Sequence, residues 1–313
     1  MSFSEDYLED NYDSYYDEEE VKSKVKICRE HIDNEHTFAH LDFIEEVVQH
    51  CLEYDLIEDG LYLTNALLKA VPYNSDAWQF KGILLNNTFN FEEAYHCFDK
   101  SLSLNPNDVE TYINKSIAED NLGMFEDAVE SLKKALEIEP HNEETLFSLG
   151  VIYQKKEKYT EAIEYFNKAI AADQEYLEAW YELGFCFENI DQLDKALFAY
   201  DKYLEYDPNS FTGWYNKGIV HLRLDQFEKA INCFELSIAL KDDFSSSWFN
   251  VGYAYSRVAR TNDALKSYKK AYDLDPFDET ILFNMGQTYE ELGSYALAIR
   301  SYSESIKLDP EYY

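Results

Sequence analysis

Every proline of this 313-residue chain falls on one grid. Pro72, Pro106, Pro140, Pro208, Pro276 and Pro310 stand 34 residues apart, or twice that. With units counted from residue 41, all six occupy place 32. Six of the ten glycines share place 8: Gly82, Gly150, Gly184, Gly218, Gly252 and Gly286, with Ser116 standing there in one further unit. Place 20 is alanine seven times over, at Ala94, Ala128, Ala162, Ala196, Ala230, Ala264 and Ala298. All the tryptophans, Trp78, Trp180, Trp214 and Trp248, stand at place 4. A fixed period of this length marks a chain made by stacking one small motif, each copy touching only its neighbours.

The unit 177–210 shows what the motif is. Trp180, Leu183, Gly184 and Phe187 follow the i, i+3, i+4, i+7 spacing of one helix face, and Ala196, Tyr200 and Tyr203 mark a second helix. Residues 189–192 interrupt the pattern, and Pro208 stops the second helix because it has no N–H to donate. Two amphipathic helices of this size cannot bury their own apolar faces, so the unit needs copies on either side. Small residues at places 8 and 20 let the two helices cross closely. Phe98, Phe166, Tyr200, Phe234, Tyr268 and Tyr302, all at place 24, are expected to fill the gaps between hairpins.

The arrangement of aromatic, Leu-Gly, aromatic, Ala, aromatic and Pro resembles the tetratricopeptide repeat family. Seven clear units cover 75–108, 109–142, 143–176, 177–210, 211–244, 245–278 and 279–312. A degenerate one covers 41–74, with Ile44, Val47, Leu67 and Pro72 in register but Gly60 at the alanine place. The resemblance implies an all-α fold, a right-handed α-solenoid of antiparallel helix hairpins whose first helices line a concave groove. Helices are expected at places 1–14 and 17–30. Gly123 and Gly293 fall in the turn between them, where glycine supplies a positive φ.

Outside the repeats, residues 1–20 carry nine acidic residues, four tyrosines and no lysine or arginine, the composition of a disordered acidic tail. Residues 21–40 turn basic, and Val21, Val25 and Cys28 share a helix face, so a lead-in or capping helix is expected there. His36 and His40 would be i, i+4 on a helix, but no further ligand accompanies them, and no metal site follows. The net charge is −35, from 27 basic and 62 acidic residues. That field argues against nucleic acid or an anionic membrane as the main ligand and leaves a neutral or basic partner. No apolar run is long enough to span a bilayer. The start MSFSEDYLED has neither the basic flank nor the apolar core of a secretory signal. Cys28, Cys51, Cys97, Cys186 and Cys233 show no CxxC pair, and read as reduced core fillers in a cytoplasmic protein.

If the first helices line a groove, helix geometry puts places 2, 5, 9, 12 and 13 on one stripe. Place 5 holds Gln79, Ile113, then Phe147, Tyr181, Tyr215, Phe249 and Phe283. Place 9 holds Ile83, Ile117, Val151, Phe185, Ile219, Tyr253 and Gln287. Place 13 adds Lys155, Arg223 and Arg257. Asn114, Asn216, Asn250 and Asn284 at place 6 resemble the asparagine ladder in the repeat arm of O-GlcNAc transferase, broken here by Phe80, Ser148 and Glu182. Aromatic rings supply contact area, and amides can pair with a peptide backbone. The expected groove therefore runs over Phe147, Tyr181, Phe185, Tyr215, Asn216, Ile219, Arg223, Phe249, Asn250, Tyr253, Arg257, Phe283 and Asn284, most strongly in the units from 177 to 312. The lysine-arginine pair by which related arrays clamp chaperone C-termini is absent from places 5 and 6.

No phosphate loop, GxSxG or HExxH occurs, and no cofactor or catalysis is implied. The reading is a non-catalytic protein-interaction scaffold. A regulatory arm of a larger enzyme and a structural protein that associates end to end are the alternatives. The last second helix, near 295–308, carries Tyr295, Ala298, Ile299, Tyr302 and Ile306 with no hairpin after it. The expectation is a longer array, or self-association through the C-terminal repeat.

Overall fold

The computed structural model describes residues 18–309, which form seventeen α-helices, one 3-10 turn and, among the described residues, no strand. The chain divides inside a helix, between Ser148 and Leu149, into two compact units. The first holds α1 (Glu18–Asp33), the pairs α2 (Leu41–Glu53) and α3 (Ile57–Ala70), α4 (Ser75–Asn87) and α5 (Phe91–Leu104), α6 (Val109–Asn121) and α7 (Phe125–Ile138), and the start of α8 (Glu143–Lys155). The second continues with α9 (Tyr159–Ala172), then α10 (Leu177–Asn189) with α11 (Leu193–Tyr206), α12 (Phe211–Arg223) with α13 (Phe227–Leu240), α14 (Ser245–Arg257) with α15 (Thr261–Leu274), and α16 (Glu279–Glu291) with α17 (Tyr295–Leu308). First helices occupy places 1–13 and second helices places 17–30. Within each unit every hairpin packs on the next, which is the all-α solenoid arrangement.

Local chemistry explains the boundaries. Asn74, Asp108, Asn142, Ser210 and Asp278 stand at the N-cap of first helices, two residues after a proline, and accept hydrogen bonds from the backbone N–H groups of Ala77, Thr111, Thr145, Gly213 and Ile281. Every tryptophan indole donates to the carbonyl six residues earlier: Trp78 to Pro72, Trp180 to Gln174, Trp214 to Pro208 and Trp248 to Asp242, at 2.8–3.0 Å. The carbonyl at place 32 is thus the acceptor for a tryptophan at place 4 of the next unit, whether place 32 is proline, as in two cases, or not. Place 15, between the two helices, has positive φ throughout: Asp55, Phe89, Gly123, Glu157, Asp191, Asp225, Ala259 and Gly293.

Packing inside the hairpins turns on places 8, 20 and 24. The place-20 alanines are 0–3% exposed. The place-24 rings of Phe98, Phe166, Tyr200, Phe234 and Tyr268 are fully buried, each worth about 1.5–3 kcal/mol relative to exposure. They lie directly on the place-8 glycines. A Cβ would stand 2.4 Å from the Phe166 ring at Gly150 and 2.7 Å from the Phe234 ring at Gly218. Where place 24 is not aromatic the glycine is missing too: Ser116 pairs with Leu132, and Val48 with Thr64, all buried.

Helix α1 covers the first hairpin with Val21, Val25 and Cys28, in one cluster with Ile44, Val47, Leu63 and Leu67. It starts at Glu18, inside the stretch read as tail, and ends at Asp33, with the 3-10 turn Thr37–Ala39 following. His36 and His40 therefore bracket that turn instead of sharing a helix face, and His40 stacks on His31 at 3.7 Å. The rest of the acidic tail, 1–17, lies outside the described residues.

Candidate functional site

In the second unit the first helices α10, α12, α14 and α16 carry the stripe. Tyr181, Tyr215, Phe249 and Phe283 are all half-buried, and each leans on the place-24 ring of its own hairpin. Centroids are 6.1 Å apart for Tyr181–Tyr200, 5.8 Å for Tyr215–Phe234, 5.7 Å for Phe249–Tyr268 and 5.6 Å for Phe283–Tyr302. The rings are therefore core wall on one side and surface on the other. Further edges come from Tyr203 on Tyr181 and Phe244 on Tyr215. Burial pushes the Tyr181 and Tyr215 hydroxyls above the usual tyrosine range, so they stay protonated.

The asparagines are anchored inside the protein. Asn216 Nδ2 donates to Tyr181 Oη at 2.9 Å. Asn250 Nδ2 donates to Tyr215 Oη at 3.2 Å and to the Ser246 carbonyl at 2.9 Å, which uses both amide hydrogens. Asn284 Nδ2 donates to the Thr280 carbonyl at 2.8 Å; the ring one unit back is Phe249, which has no hydroxyl to offer. Sequence reading leaves these amides free for a ligand, and misses that a tyrosine one repeat earlier satisfies two of them.

The arginines are likewise engaged. Arg223 reaches back to the preceding hairpin, donating to the Glu188 carbonyl and to Asp191 Oδ1, both at 2.9 Å. Asp191 is a place-15 residue with positive φ, so Arg223 holds the turn of its neighbour. Arg257 donates to Tyr253 Oη at 2.8 Å and lies 4.6 Å above the Phe227 ring. Ile219 packs against the core of its unit, while Phe185 remains 38% exposed with its edge toward Tyr159. Phe147, also half-buried, belongs to the first unit.

Two carboxyls stand among these residues, Glu182 at place 6 and Glu188 at place 12. Glu182 accepts from Gln154 Nε2 at 2.6 Å, and burial pushes its carboxyl up. Glu188 is also raised by burial, against the opposing pull of Arg223. In the first unit an acidic hollow of 570 Å³ is lined by Asp108, Glu110, Glu139 and Glu144 over Val109 and Ile113. Burial and the neighbouring charges of Glu110 and Glu143 raise the Glu144 carboxyl. Among the described residues no group of three or more His, Cys, Asp or Glu is placed to hold a metal, and no helix is long and apolar enough to cross a membrane.

Known proteins give the same picture. Tetratricopeptide repeat models match residues 75–108, 143–176, 177–210, 199–232, 245–278 and 280–312, and a TPR repeat model matches 121–157. No curated protein matches the chain. Among solved structures, the chain is similar to MamA from Desulfovibrio magneticus RS-1, with 20% identity over 54% of this chain and 96% of that one and a TM-score of 0.52. It is similar to PilF of Pseudomonas aeruginosa, with 20% identity over 65% of this chain and 92% of that one and a TM-score of 0.56. A chain of the APC/C hetero-tetramer Cut9–Hcn1 aligns over 97% of this chain and 63% of its own length, with 16% identity and a TM-score of 0.53. At such identities these likenesses are of fold. The repeat matches, the helix hairpins and their place-by-place packing lead to one assignment: the chain belongs to the tetratricopeptide repeat family.

Proposed function

We propose that the chain is a non-catalytic scaffold that holds an extended protein segment along the stripe formed by α10, α12, α14 and α16. The observation that carries this reading is the row Tyr181, Tyr215, Phe249 and Phe283. Each ring is fixed from behind by a core aromatic, two are tied by amide hydrogen bonds to the next helix, and all keep one side open. A surface immobilised before binding loses little side-chain entropy on binding. The net charge of −35 and the acidic hollow in the first unit favour a neutral or basic segment over an acidic one.

The cytoplasm suits the cysteines. All five are free and buried, and burial pushes the thiols of Cys28, Cys51 and Cys186 up to about 12 and those of Cys97 and Cys233 up to about 11. Such thiols are small apolar fillers with little thiolate to oxidise.

The test is fluorescence anisotropy against three sets of unstructured peptides, matched in apolar content and differing only in net charge. Basic and neutral peptides should bind in preference to acidic ones. Phe185→Ala, which removes the most exposed aromatic of the stripe, should weaken that binding at least fivefold. Equal binding of acidic peptides, or affinity untouched by Phe185→Ala with Tyr253→Ala, defeats the proposal.

A further inference from the structure

Place 17 of one unit and place 9 of the next come together around Arg257. Here the two places hold Phe227 and Tyr253. The Arg257 guanidinium lies 4.6 Å from the centre of the Phe227 ring and 5.7 Å from that of Tyr253, and it donates to Tyr253 Oη at 2.8 Å. In the unit 177–210 the same two places again hold rings, Tyr159 and Phe185, edge to face with centroids 6.3 Å apart. The place of the arginine is taken by Asn189, which is exposed and donates to the Phe185 carbonyl at 2.9 Å. Among the described residues neither ring carries a cation. A carboxyl beside them lacks one too. Glu182, half-buried, stands one turn before Phe185 on the same helix face. Gln154 of the preceding hairpin fixes it at 2.6 Å, and no lysine, arginine or histidine among the described residues pairs with it. Taking a carboxylate from water without a counter-ion is costly, which is why burial raises this carboxyl.

We infer that the α10 part of the stripe is a subsite for an arginine side chain of the bound segment, with the guanidinium on Phe185 and Tyr159 and its N–H fork toward Glu182. The inference rests on the reading of the stripe as a binding groove and names what that groove selects. Arg257 shows that rings at these two places hold a guanidinium in this fold. Where the rings are missing, the built-in arginine goes elsewhere: Leu193 and Ile219 stand at the two places in the unit 211–244, and Arg223 turns to Asp191. Place 6 follows the same logic. It is Asn250 in the repeat that supplies its own arginine, and an acid, Glu182, in the repeat that keeps the rings without one. Phe185 is 38% exposed, so the position is open to a side chain arriving from solvent. A planar guanidinium can stack on a ring and fork to a carboxylate at once, which a lysine ammonium cannot. An arriving arginine would also supply the counter-ion that the buried Glu182 carboxylate lacks.

The test is anisotropy at physiological salt with the tightest arginine-containing peptide of the basic set, and the same peptide with every arginine replaced by citrulline. Citrulline keeps the shape of the side chain and removes its charge. The full chain should prefer the arginine peptide by at least about fivefold. Glu182→Gln should bring that preference below about twofold. Asn189→Arg supplies from within the cation that Arg257 supplies in its own repeat, and should lower the arginine peptide to the citrulline level. Asn189 is exposed and arginine is a good helix former, so this variant keeps the fold. Asp194→Asn, which removes one exposed charge from α11, should leave the preference intact and so separate the subsite from the general field of the chain. If neither peptide binds the natural chain, the scaffold reading fails and this inference with it. If both bind alike, or the preference survives Glu182→Gln or Asn189→Arg, the arginine subsite alone is overturned.

Discussion

The paired identities at places 8 and 24 can be tested with a double-mutant cycle at Gly218 and Phe234. A Cβ at Gly218 would sit 2.7, 2.9 and 2.9 Å from three atoms of the Phe234 ring, and that ring is fully buried in the core of its unit. Serine in a helix gains roughly 0.5 kcal/mol over glycine. Forcing its side chain into the ring costs about 1–3 kcal/mol, so Gly218→Ser should lose about 1–2 kcal/mol net. Phe234→Leu removes ring atoms and leaves a partial cavity, at about 1–3 kcal/mol. Combined, the smaller leucine accommodates the serine, as Leu132 accommodates Ser116 in the unit 109–142.

The double variant should therefore be more stable than the sum of the single losses by about 1–2 kcal/mol, well above the scatter of independent sites. Stacked repeats need not unfold in one step, so the probe must be local. Trp214 lies on α12 with Gly218, and its indole is fixed to the Pro208 carbonyl, so in a background where Trp78, Trp180 and Trp248 are replaced by phenylalanine its fluorescence in urea reports this hairpin. Additivity within about 0.5 kcal/mol would refute the size-compensation argument.

Backbone strain at place 15 supplies a second prediction. Gly123 has φ of 77° and nothing within 4 Å of where a methyl group would stand, so Gly123→Ala should cost about 1 kcal/mol in thermal unfolding through conformation alone, while Ala259→Gly, at φ of 59°, should cost nothing or gain slightly. The third concerns pH. Burial raises the Glu182 and Glu188 carboxyls in the folded chain, so folding binds protons; their contribution is full below the unfolded glutamate value of about 4.3 and is lost as pH rises through the folded value. The second unit should melt higher near pH 5 than near pH 8, and Glu182→Gln should flatten that slope; an unchanged slope defeats the assignment.

Steric rules made most of the fold legible from sequence. Alanine at place 20 and glycine at place 8 answer a constraint that recurs inside each hairpin, and proline at place 32 one that recurs between hairpins, so the period exposes them. The turn was legible only in part. Gly123 and Gly293 announce a positive φ, but Asp55, Phe89, Glu157, Asp191, Asp225 and Ala259 adopt it without an identity that says so. Arg223 illustrates the remaining gap. Its place on the stripe is readable from helix geometry, whereas its grip on the Asp191 turn depends on the distance to the neighbouring hairpin, which no local pattern contains.

The amide ladder carries the same lesson into function. Place 6 looks uniform over the last three repeats, yet its chemistry is set by place 5 of the repeat before. Tyr181 and Tyr215 each hold the next asparagine with a hydroxyl; Phe249 cannot. Asn216 and Asn250 are thereby stiff parts of the stripe, and Asn250 has no amide hydrogen left to donate. Asn216 and Asn284 each spend one amide hydrogen, Asn216 on Tyr181 of the hairpin before and Asn284 on the Thr280 carbonyl of its own helix, where Gln287 is also exposed. Of the three amides, Asn250 is the one whose two hydrogens are both spent inside the protein. One oxygen atom, present in tyrosine and missing in phenylalanine, decides whether an asparagine is tied to the hairpin before it or only to its own helix.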